Sequence, residues 1–128
     1  MIKNYLAIDF GTKRIGLAIN KGFLAEPLKI LLNDDRLLIE IKDICEQEKI
    51  SRIIIGISEK DMATRTEKFV ENLKQVIDLP ITFMDETLSS KQVHDKLLQA
   101  GAKQKKRQSP IDHYAAALIL QNWLDENF

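Results

Sequence analysis

A continuous apolar run near the middle of the chain sets the strongest limit on the fold. Residues 53 to 57 read Ile-Ile-Ile-Gly-Ile, and such a β-branched run without polar alternation indicates a fully buried strand. A helical stripe precedes this run and another follows it. The first consists of Leu37, Leu38, Ile41, Ile44 and Cys45, and the second of Phe69, Val70, Leu73, Val76 and Ile77. The sequence therefore predicts an α/β fold in which helices flank a sheet.

Four further apolar runs predict the remaining strands. The runs at Tyr5–Ile8, Ile15–Ile19 and Pro27–Leu32 are joined by short connections, so we expect these three strands to be antiparallel. Pro27 fits a strand that begins there or lies at a sheet edge. A strand at Ile81–Met84 follows the second helix. Right-handed helical crossovers make this strand and the central run parallel to their neighbours.

Two helices complete the predicted order. One is marked by Val93, Leu97 and Leu98 and ends at Gly101. Pro110 opens the other, whose apolar stripe is Ala115, Ala116, Ile119, Leu120 and Trp123. The order β-β-β-α-β-α-β-α-α predicts a mixed five-stranded sheet, with three antiparallel strands and then two parallel ones, flanked by helices.

Composition narrows the class of protein. The 128 residues suit one domain, and 19 Lys plus Arg against 19 Asp plus Glu exclude a globally basic nucleic-acid binder but not a local basic patch. The single cysteine, Cys45, excludes an internal disulfide and a multi-cysteine metal site, and its helical stripe predicts a core position. No run of 18 apolar residues exists and no signal peptide opens the chain. We therefore expect a cytoplasmic protein without membrane contact.

Three acidic residues stand where side chains can converge. Asp9 ends the first strand, Glu86 follows Asp85 at the end of the last strand, and Asp112 lies in the first turn of the final helix. The carboxyl ends of parallel strands share one sheet edge, which is where ligands bind in open α/β sheets. Clustered carboxylates suit Mg²⁺ or Mn²⁺, and two such ions about 4 Å apart can activate water against a phosphodiester.

Each of these acids also has a structural interpretation. Asp9 can initiate a turn. The segment Ser109-Pro110-Ile111-Asp112 has the pattern of a helix start, so Asp112 can be a capping residue, although it also leads the apolar stripe of its helix. Glu86 can interact with the N-terminus of the helix that follows it. Spacing alone leaves these alternatives open.

Two groups of basic residues are candidates for binding nucleic acid. The stretch from 103 to 107 contributes Lys103, Lys105, Lys106 and Arg107, and the turn after Asp9 contributes Lys13 and Arg14. Such a run is usually a solvated loop. Beside a carboxylate cluster it can instead bind backbone phosphates while the acids act on the scissile one.

Several segments together resemble one family. Leu6-Ala7-Ile8-Asp9-Phe10-Gly11-Thr12-Lys13-Arg14-Ile15-Gly16-Leu17-Ala18 closely resembles the opening of the YqgF/RuvX proteins, and Asp85-Glu86-Thr87-Leu88-Ser89 resembles their Asp-Glu-Arg-Leu-Thr/Ser motif. Ala100-Gly101, the basic stretch and the segment from Ile111 to Gln121 are similar to their C-terminal block. The similarity extends over nearly the whole chain in the family's order.

The resemblance implies a single RNase H-like nuclease domain over residues 1–128. These proteins are described as Holliday junction resolvases and as nucleases that process pre-16S ribosomal RNA. The resemblance therefore implies an endonuclease that uses Mg²⁺ or Mn²⁺ on structured RNA or branched DNA, as a monomer or a weak homodimer. It also implies that Asp9, Glu86 and Asp112 are the catalytic, metal-binding acids.

Two departures from the family pattern keep other functions open. Thr87 stands where the family has arginine, and Gly56-Ile57-Ser58-Glu59-Lys60-Asp61 lacks the proline and the following glycine that are usual there. A nucleic-acid-binding module with weakened catalysis is therefore one alternative. An ATP-binding fragment is another, because Asp9-Phe10-Gly11-Thr12 resembles the phosphate loop of actin-like kinases. Those proteins need a second domain to close over the nucleotide.

Overall fold

Eight helices and strands make up the described part of the chain. The computed structural model describes residues 2–11, 13–57, 60–85 and 111–128. The strands are β1 (Asn4–Phe10), β2 (Arg14–Lys21), β3 (Leu24–Leu32), β4 (Ile50–Ile57) and β5 (Ile81–Asp85). The helices are α1 (Leu37–Gln47), α2 (Lys60–Val76) and α3 (Ile111–Asn127). The helix expected around Val93 to Leu98 lies outside the described residues.

The five strands form one mixed sheet in the order β3-β2-β1-β4-β5. β1 pairs with β2 and β2 with β3 in antiparallel fashion, whereas β1 with β4 and β4 with β5 are parallel. This confirms the predicted sheet of three antiparallel strands followed by two parallel ones. It also brings the carboxyl ends of β1, β4 and β5 to one edge.

The sheet has a separate core on each face. Leu6, Ile8 and Phe10 of β1 join Ile53 and Ile55 of β4 in a core with α1 and α2. The alternating residues point the other way, so Tyr5 and Ala7 join Ile54 in a core with α3. Helices thus cover β4 on both faces, which confirms the expectation drawn from its isoleucine run.

The helices bury nearly all the stripes that the sequence predicts. In α1 the side chains of Leu37, Ile41, Ile44 and Cys45 are buried, and in α3 all five predicted stripe residues are buried. In α2 the prediction is wrong for Val76, the last residue of the helix, which is 40% exposed. Within the described residues, no helix is long and apolar enough to cross a membrane.

β3 is longer than the sequence predicts. It begins at Leu24 instead of Pro27, and Pro27 pairs with Ala18 where the register between β2 and β3 shifts. β3 is an outer strand of the described sheet, and a proline is tolerated there because its missing N–H removes no bond to a further strand. The register shift could not be predicted from the local sequence.

Candidate active site

Asp9 is a buried residue near the carboxyl end of β1. It is 6% exposed, and it lies inside the strand, paired in register with both neighbouring strands. Tyr5 and Ala7, which precede it at two-residue spacing, belong to the core beneath α3. By strand alternation the Asp9 side chain lies on the same face.

Glycines flank Asp9 on both sides. Its register partners are Gly16 on β2 and Gly56 on β4, and both glycines are buried. Directly opposite residues in a sheet project their Cβ atoms onto the same face, about 4.5–5.5 Å apart. Because neither glycine has a Cβ, no side chain from these two positions occupies the space beside the Asp9 carboxylate.

The C-terminal half of α3 packs against the amino end of β1. The Trp123 and Phe128 rings lie 4.7 and 6.1 Å from the Tyr5 ring, measured between centroids. At the β2–β3 hairpin, the Gln121 side chain accepts a hydrogen bond from Ala25 N–H and donates one to Phe23 C=O, each 2.9 Å long. α3 therefore runs antiparallel to β1.

This direction brings the start of α3 to the end of β1. From Tyr5 to Asp9 the strand advances about 13 Å, and from Trp123 back to Asp112 the helix advances about 16 Å. From these lengths we expect the first turn of α3, which contains Asp112, near the level of Asp9 on the sheet face that α3 covers.

β5 ends at this edge as well. Asp9 is in register with Gly56, Gly56 with Met84, and Ile57 with Asp85. Asp85 thus lies one residue beyond the level of Asp9 and two strands away, a lateral distance of about 10 Å. The predicted third acid, Glu86, is the next residue, and it lies outside the described residues, as do Lys103, Lys105, Lys106 and Arg107.

The turn after β1 presents the other predicted basic residues. Lys13 and Arg14 are both exposed. A Cβ added to Gly11 would lie 2.5 Å from the Arg14 carbonyl oxygen, so the close backbone approach in this turn requires glycine. Asn33 fixes the turn from outside, because its side chain donates to Gly11 C=O at 3.2 Å and its backbone N–H donates to Lys13 C=O at 2.9 Å. Two cations are thus held at the edge where β1 ends.

The Asp9 carboxylate is a hard oxygen donor of the kind that Mg²⁺ and Mn²⁺ prefer as ligands. Among side chains that the structure describes, no three His, Cys, Asp or Glu residues form a cluster able to hold a metal ion. The predicted partners of Asp9 are Glu86, which is not described, and Asp112, of which the structure describes the backbone only.

Sequence reasoning did not assign Gly16 and Gly56 to the site. Each is an isolated glycine inside a strand-like run, and such a glycine can indicate close approach of a ligand or of another backbone. That signal was available, but only the sheet register shows that both glycines lie beside Asp9.

The chain matches the family described as "RuvX: Holliday junction resolvase" over residues 3–126. Two bacterial relatives carry the name "Putative pre-16S rRNA nuclease". The relative from Sulfurihydrogenibium sp. (strain YO3AOP1) is 41% identical, with 94% of this chain and 88% of the relative covered. The relative from Maridesulfovibrio salexigens is 40% identical, with 93% of this chain and 96% of the relative covered.

Two solved structures share the fold. The T. thermophilus RuvC in complex with a Holliday junction substrate aligns with a TM-score of 0.67 at 12% identity, covering 98% of this chain and 97% of RuvC. The fowlpox virus resolvase in complex with Holliday junction DNA aligns with a TM-score of 0.61 at 13% identity, covering 96% and 97%. At these identities the similarity concerns the fold alone, and it confirms the expected RNase H-like architecture.

Proposed function

The chain belongs to the RuvX family of nucleases, hydrolases of phosphodiester bonds, and we propose that it is an endonuclease that requires a divalent metal ion. In this proposal Asp9, Glu86 and Asp112 hold Mg²⁺ or Mn²⁺ at the edge where β1 and β5 end. Lys13 and Arg14, together with the stretch Lys103, Lys105, Lys106 and Arg107, bind the phosphates on either side of the cleavage point.

The observation that carries the proposal is the position of Asp9. The residue is 6% exposed and has a glycine as its register partner on each side. The C-terminal half of α3 packs at the amino end of β1, which favours a position of its first turn near the carboxyl end, and β5 ends one residue beyond the level of Asp9. This arrangement supports a carboxylate site with room beside its central residue for an ion and a phosphate.

Each group has a distinct part in the chemistry. A divalent ion supplies Lewis acidity at the scissile phosphate and lowers the pKa of a bound water. Asp9 is fixed by its strand, which keeps its carboxylate in place without a large loss of side-chain entropy on binding. The exposed cations Lys13 and Arg14 attract the nucleic-acid backbone and hold its register without reading its sequence.

We propose ribosomal RNA precursors as the substrate. The support is the name shared by relatives at 40–41% identity, which describes a pre-16S rRNA nuclease. This activity would place the protein in the cytoplasm. A four-way DNA junction is the second candidate substrate, and the family description supports it. Symmetric cutting of a junction requires two active sites, and therefore a homodimer, whereas RNA cleavage is compatible with a monomer.

The test is a cleavage assay with matched carboxylate variants. A labelled pre-16S RNA fragment and a four-way DNA junction are each incubated with Mg²⁺, Mn²⁺ or EDTA. Asp9→Asn, Glu86→Gln and Asp112→Asn are compared with Asp43→Asn, which removes an exposed carboxylate on α1. We expect metal-dependent cutting of the RNA by the wild type and by Asp43→Asn, and a loss of at least about a hundredfold in the three site variants.

Three results would overturn parts of this proposal. Cutting that persists in EDTA would contradict the requirement for a metal ion. Undiminished cutting by a folded Asp9→Asn variant would contradict the assignment of Asp9 to the active site. Cutting of the junction without cutting of the RNA would replace the proposed substrate.

A further inference from the structure

A groove opens on the sheet face opposite Asp9, at the same edge. It has a volume of about 470 Å³ and lies between the loop that joins β3 to α1 and the exposed side of α2. Phe10, the residue after Asp9, forms part of its floor. Phe10 directly follows Asp9 in β1, and because side chains alternate along a strand, the groove and the Asp9 carboxylate lie on opposite faces of the same sheet edge.

The floor of the groove is apolar and rigid. Phe10 and Phe69 stack with their ring centroids 4.7 Å apart and an angle of 29° between the ring planes. Leu37 and Leu38 at the start of α1 extend this surface. Both phenylalanine side chains are at least nine-tenths buried, so the pair is fixed by the core beneath it. The floor therefore offers a ligand a small apolar contact and not an open ring face.

The two walls carry opposite charges. Arg65 and Lys68 of α2 form one wall, and Asp34 and Asp35 of the β3–α1 loop form the other. In the described part of the chain, the only ion pair within 4.0 Å joins Lys21 to Glu26, so these walls do not neutralise each other by direct contact. A ligand with a negative group at one end and hydrogen-bond donors at the other would satisfy both walls.

The groove is also tied to the turn that holds Lys13. Asn33 lines the groove and donates through its side chain to Gly11 C=O and through its backbone to Lys13 C=O. A nucleic-acid strand bound in the groove therefore lies beside the exposed cations at the end of β1. A strand that extends from the groove to Asp9 would have to pass around the sheet edge beside this turn.

From these features we infer that the groove binds one unpaired nucleotide of the substrate strand, next to the cleavage point. The base contacts the apolar floor beside Leu38, its donor groups face Asp34 and Asp35, and its phosphate contacts Arg65 and Lys68. A duplex is too wide for a pocket of this size, which matches a single small ligand. Single-stranded segments are also where proteins reach the base edges of RNA. This inference rests on the proposed nuclease function.

The test uses two double variants that remove equal charge. Arg65→Gln/Lys68→Gln removes the cationic wall of the groove, and Lys42→Gln/Lys74→Gln removes two exposed lysines that do not line it. Fluorescence anisotropy measures the binding of a labelled eight-nucleotide RNA single strand and of a blunt RNA duplex of the same length. EDTA is present so that neither is cut, and circular dichroism verifies folding of each variant.

We expect the groove variant to lose at least about tenfold in affinity for the single strand, because charge-assisted phosphate contacts are lost. Its slope of log affinity against log salt should become shallower by about 0.7 to 1.4, for one or two phosphates released. Affinity for the duplex, and all binding by the Lys42/Lys74 variant, should stay within about twofold of the wild type.

Equal losses for single strand and duplex, or equal losses in both double variants, would overturn the inference in favour of general surface electrostatics. Displacement of the single strand by micromolar nucleoside monophosphate would also overturn it, since the groove would then serve a free nucleotide. The cleavage assay separates the two proposals. If the protein binds the single strand selectively but cuts nothing, the proposal for the groove stands and the proposed nuclease function is wrong. If it cuts in a way that needs Asp9 but shows no selective binding, the nuclease function stands and the proposal for the groove is wrong.

Discussion

Asp9 of β1 and Gly16 of β2 are direct register partners on the sheet face that α3 covers. Gly56 holds the equivalent position on the other side. Glycine weakens a strand because it gains no packing and loses more conformational freedom on folding than other residues. Two such positions beside one buried carboxylate therefore need an explanation other than sheet stability. In the proposed function, the two glycines leave space beside Asp9 for a metal ion and a phosphate, and this would explain their positions.

Replacing Gly16 tests this explanation. In Gly16→Ala the new methyl group stands beside Asp9, and we expect cleavage to fall at least tenfold while overpacking costs about 1–3 kcal/mol of stability. The control is Ala18→Gly, which removes a buried methyl under α3 two residues away and costs about 1 kcal/mol. Initial cleavage rates and urea unfolding are measured for both. Similar cleavage losses in the two variants would point to packing and not to space beside Asp9.

Asn20 is expected to contribute strongly to stability. Its side chain is almost completely buried, and it accepts a hydrogen bond from Tyr5 N–H at 2.7 Å while donating to Lys3 C=O and Gly22 C=O at 2.9 and 2.8 Å. Asn20→Ala leaves the Tyr5 N–H buried without this acceptor, which costs about 1–3 kcal/mol. Urea denaturation measures the loss.

The control for Asn20 is Asn4→Ala. Asn4 donates one exposed hydrogen bond to Glu48 C=O at 2.8 Å, and solvent can replace it. We expect a loss of at most about 1 kcal/mol there. A loss for Asn4→Ala as large as that for Asn20→Ala would contradict the argument from burial.

Gln121 is expected to hold α3 to the hairpin between β2 and β3. Gln121→Ala removes both bonds from its side chain to the backbone of that hairpin, at Ala25 and Phe23, and should destabilise the protein by about 1–2 kcal/mol. Hydrogen exchange by mass spectrometry should show faster exchange in the C-terminal half of α3 and at Ala25. Unchanged protection at both places would show that the apolar packing of Trp123 is sufficient.

Cys45 makes stability depend on pH in the alkaline range. Burial, with a smaller effect of the neighbouring Glu46 carboxylate, raises the pKa of its thiol from 9.0 to about 11. Between these values the unfolded chain gives up the thiol proton while the folded protein keeps it, so the unfolded state binds fewer protons and stability falls as pH rises. The contribution is complete below pH 9 and lost above pH 11.

Comparison with Cys45→Ala isolates this effect from other alkaline titrations. The stability difference between wild type and variant should shrink by about 2–3 kcal/mol between pH 8.5 and pH 11.5, at 1.36 kcal/mol per pKa unit. Urea midpoints at several pH values measure it. A difference that stays constant with pH would mean that the thiol is not held in its protonated form.

The sequence predicts the sheet well because its signals are local. A run of isoleucines without a polar residue is stable only where both faces of a strand are buried. Residues 53–57 form such a strand, with helices covering both of its faces. The exposure of Val76 could not be predicted in the same way. Its spacing matches the stripe of α2, but how deeply each residue of the stripe is buried depends on tertiary packing, which the spacing does not determine.

The site was predictable only in part. The expectation that Asp9 lies near the carboxyl end of the first strand is confirmed, although β1 continues to Phe10. The direction in which α3 crosses the sheet could not be predicted. An apolar stripe shows which side of a helix is buried but not which way the helix runs, and contacts such as that between Tyr5 and Trp123 are needed to determine it. The groove shows the same limit. Phe10, Asn33 and Arg65 are separated by many residues, so no sequence motif could have indicated that they line one surface.

Pro27 has a consequence for the behaviour of this protein at high concentration. An outer strand offers free N–H and C=O groups on which strands of other molecules can add, and this growth leads to aggregates. Pro27 removes one N–H from β3, and the register shift beside it bends the ladder away from a flat template. Lys29, exposed on the same strand, adds a charge that an incoming strand would have to bury or pair. Within the described sheet β3 is the outer strand on that side, and we expect these features to disfavour edge-to-edge aggregation.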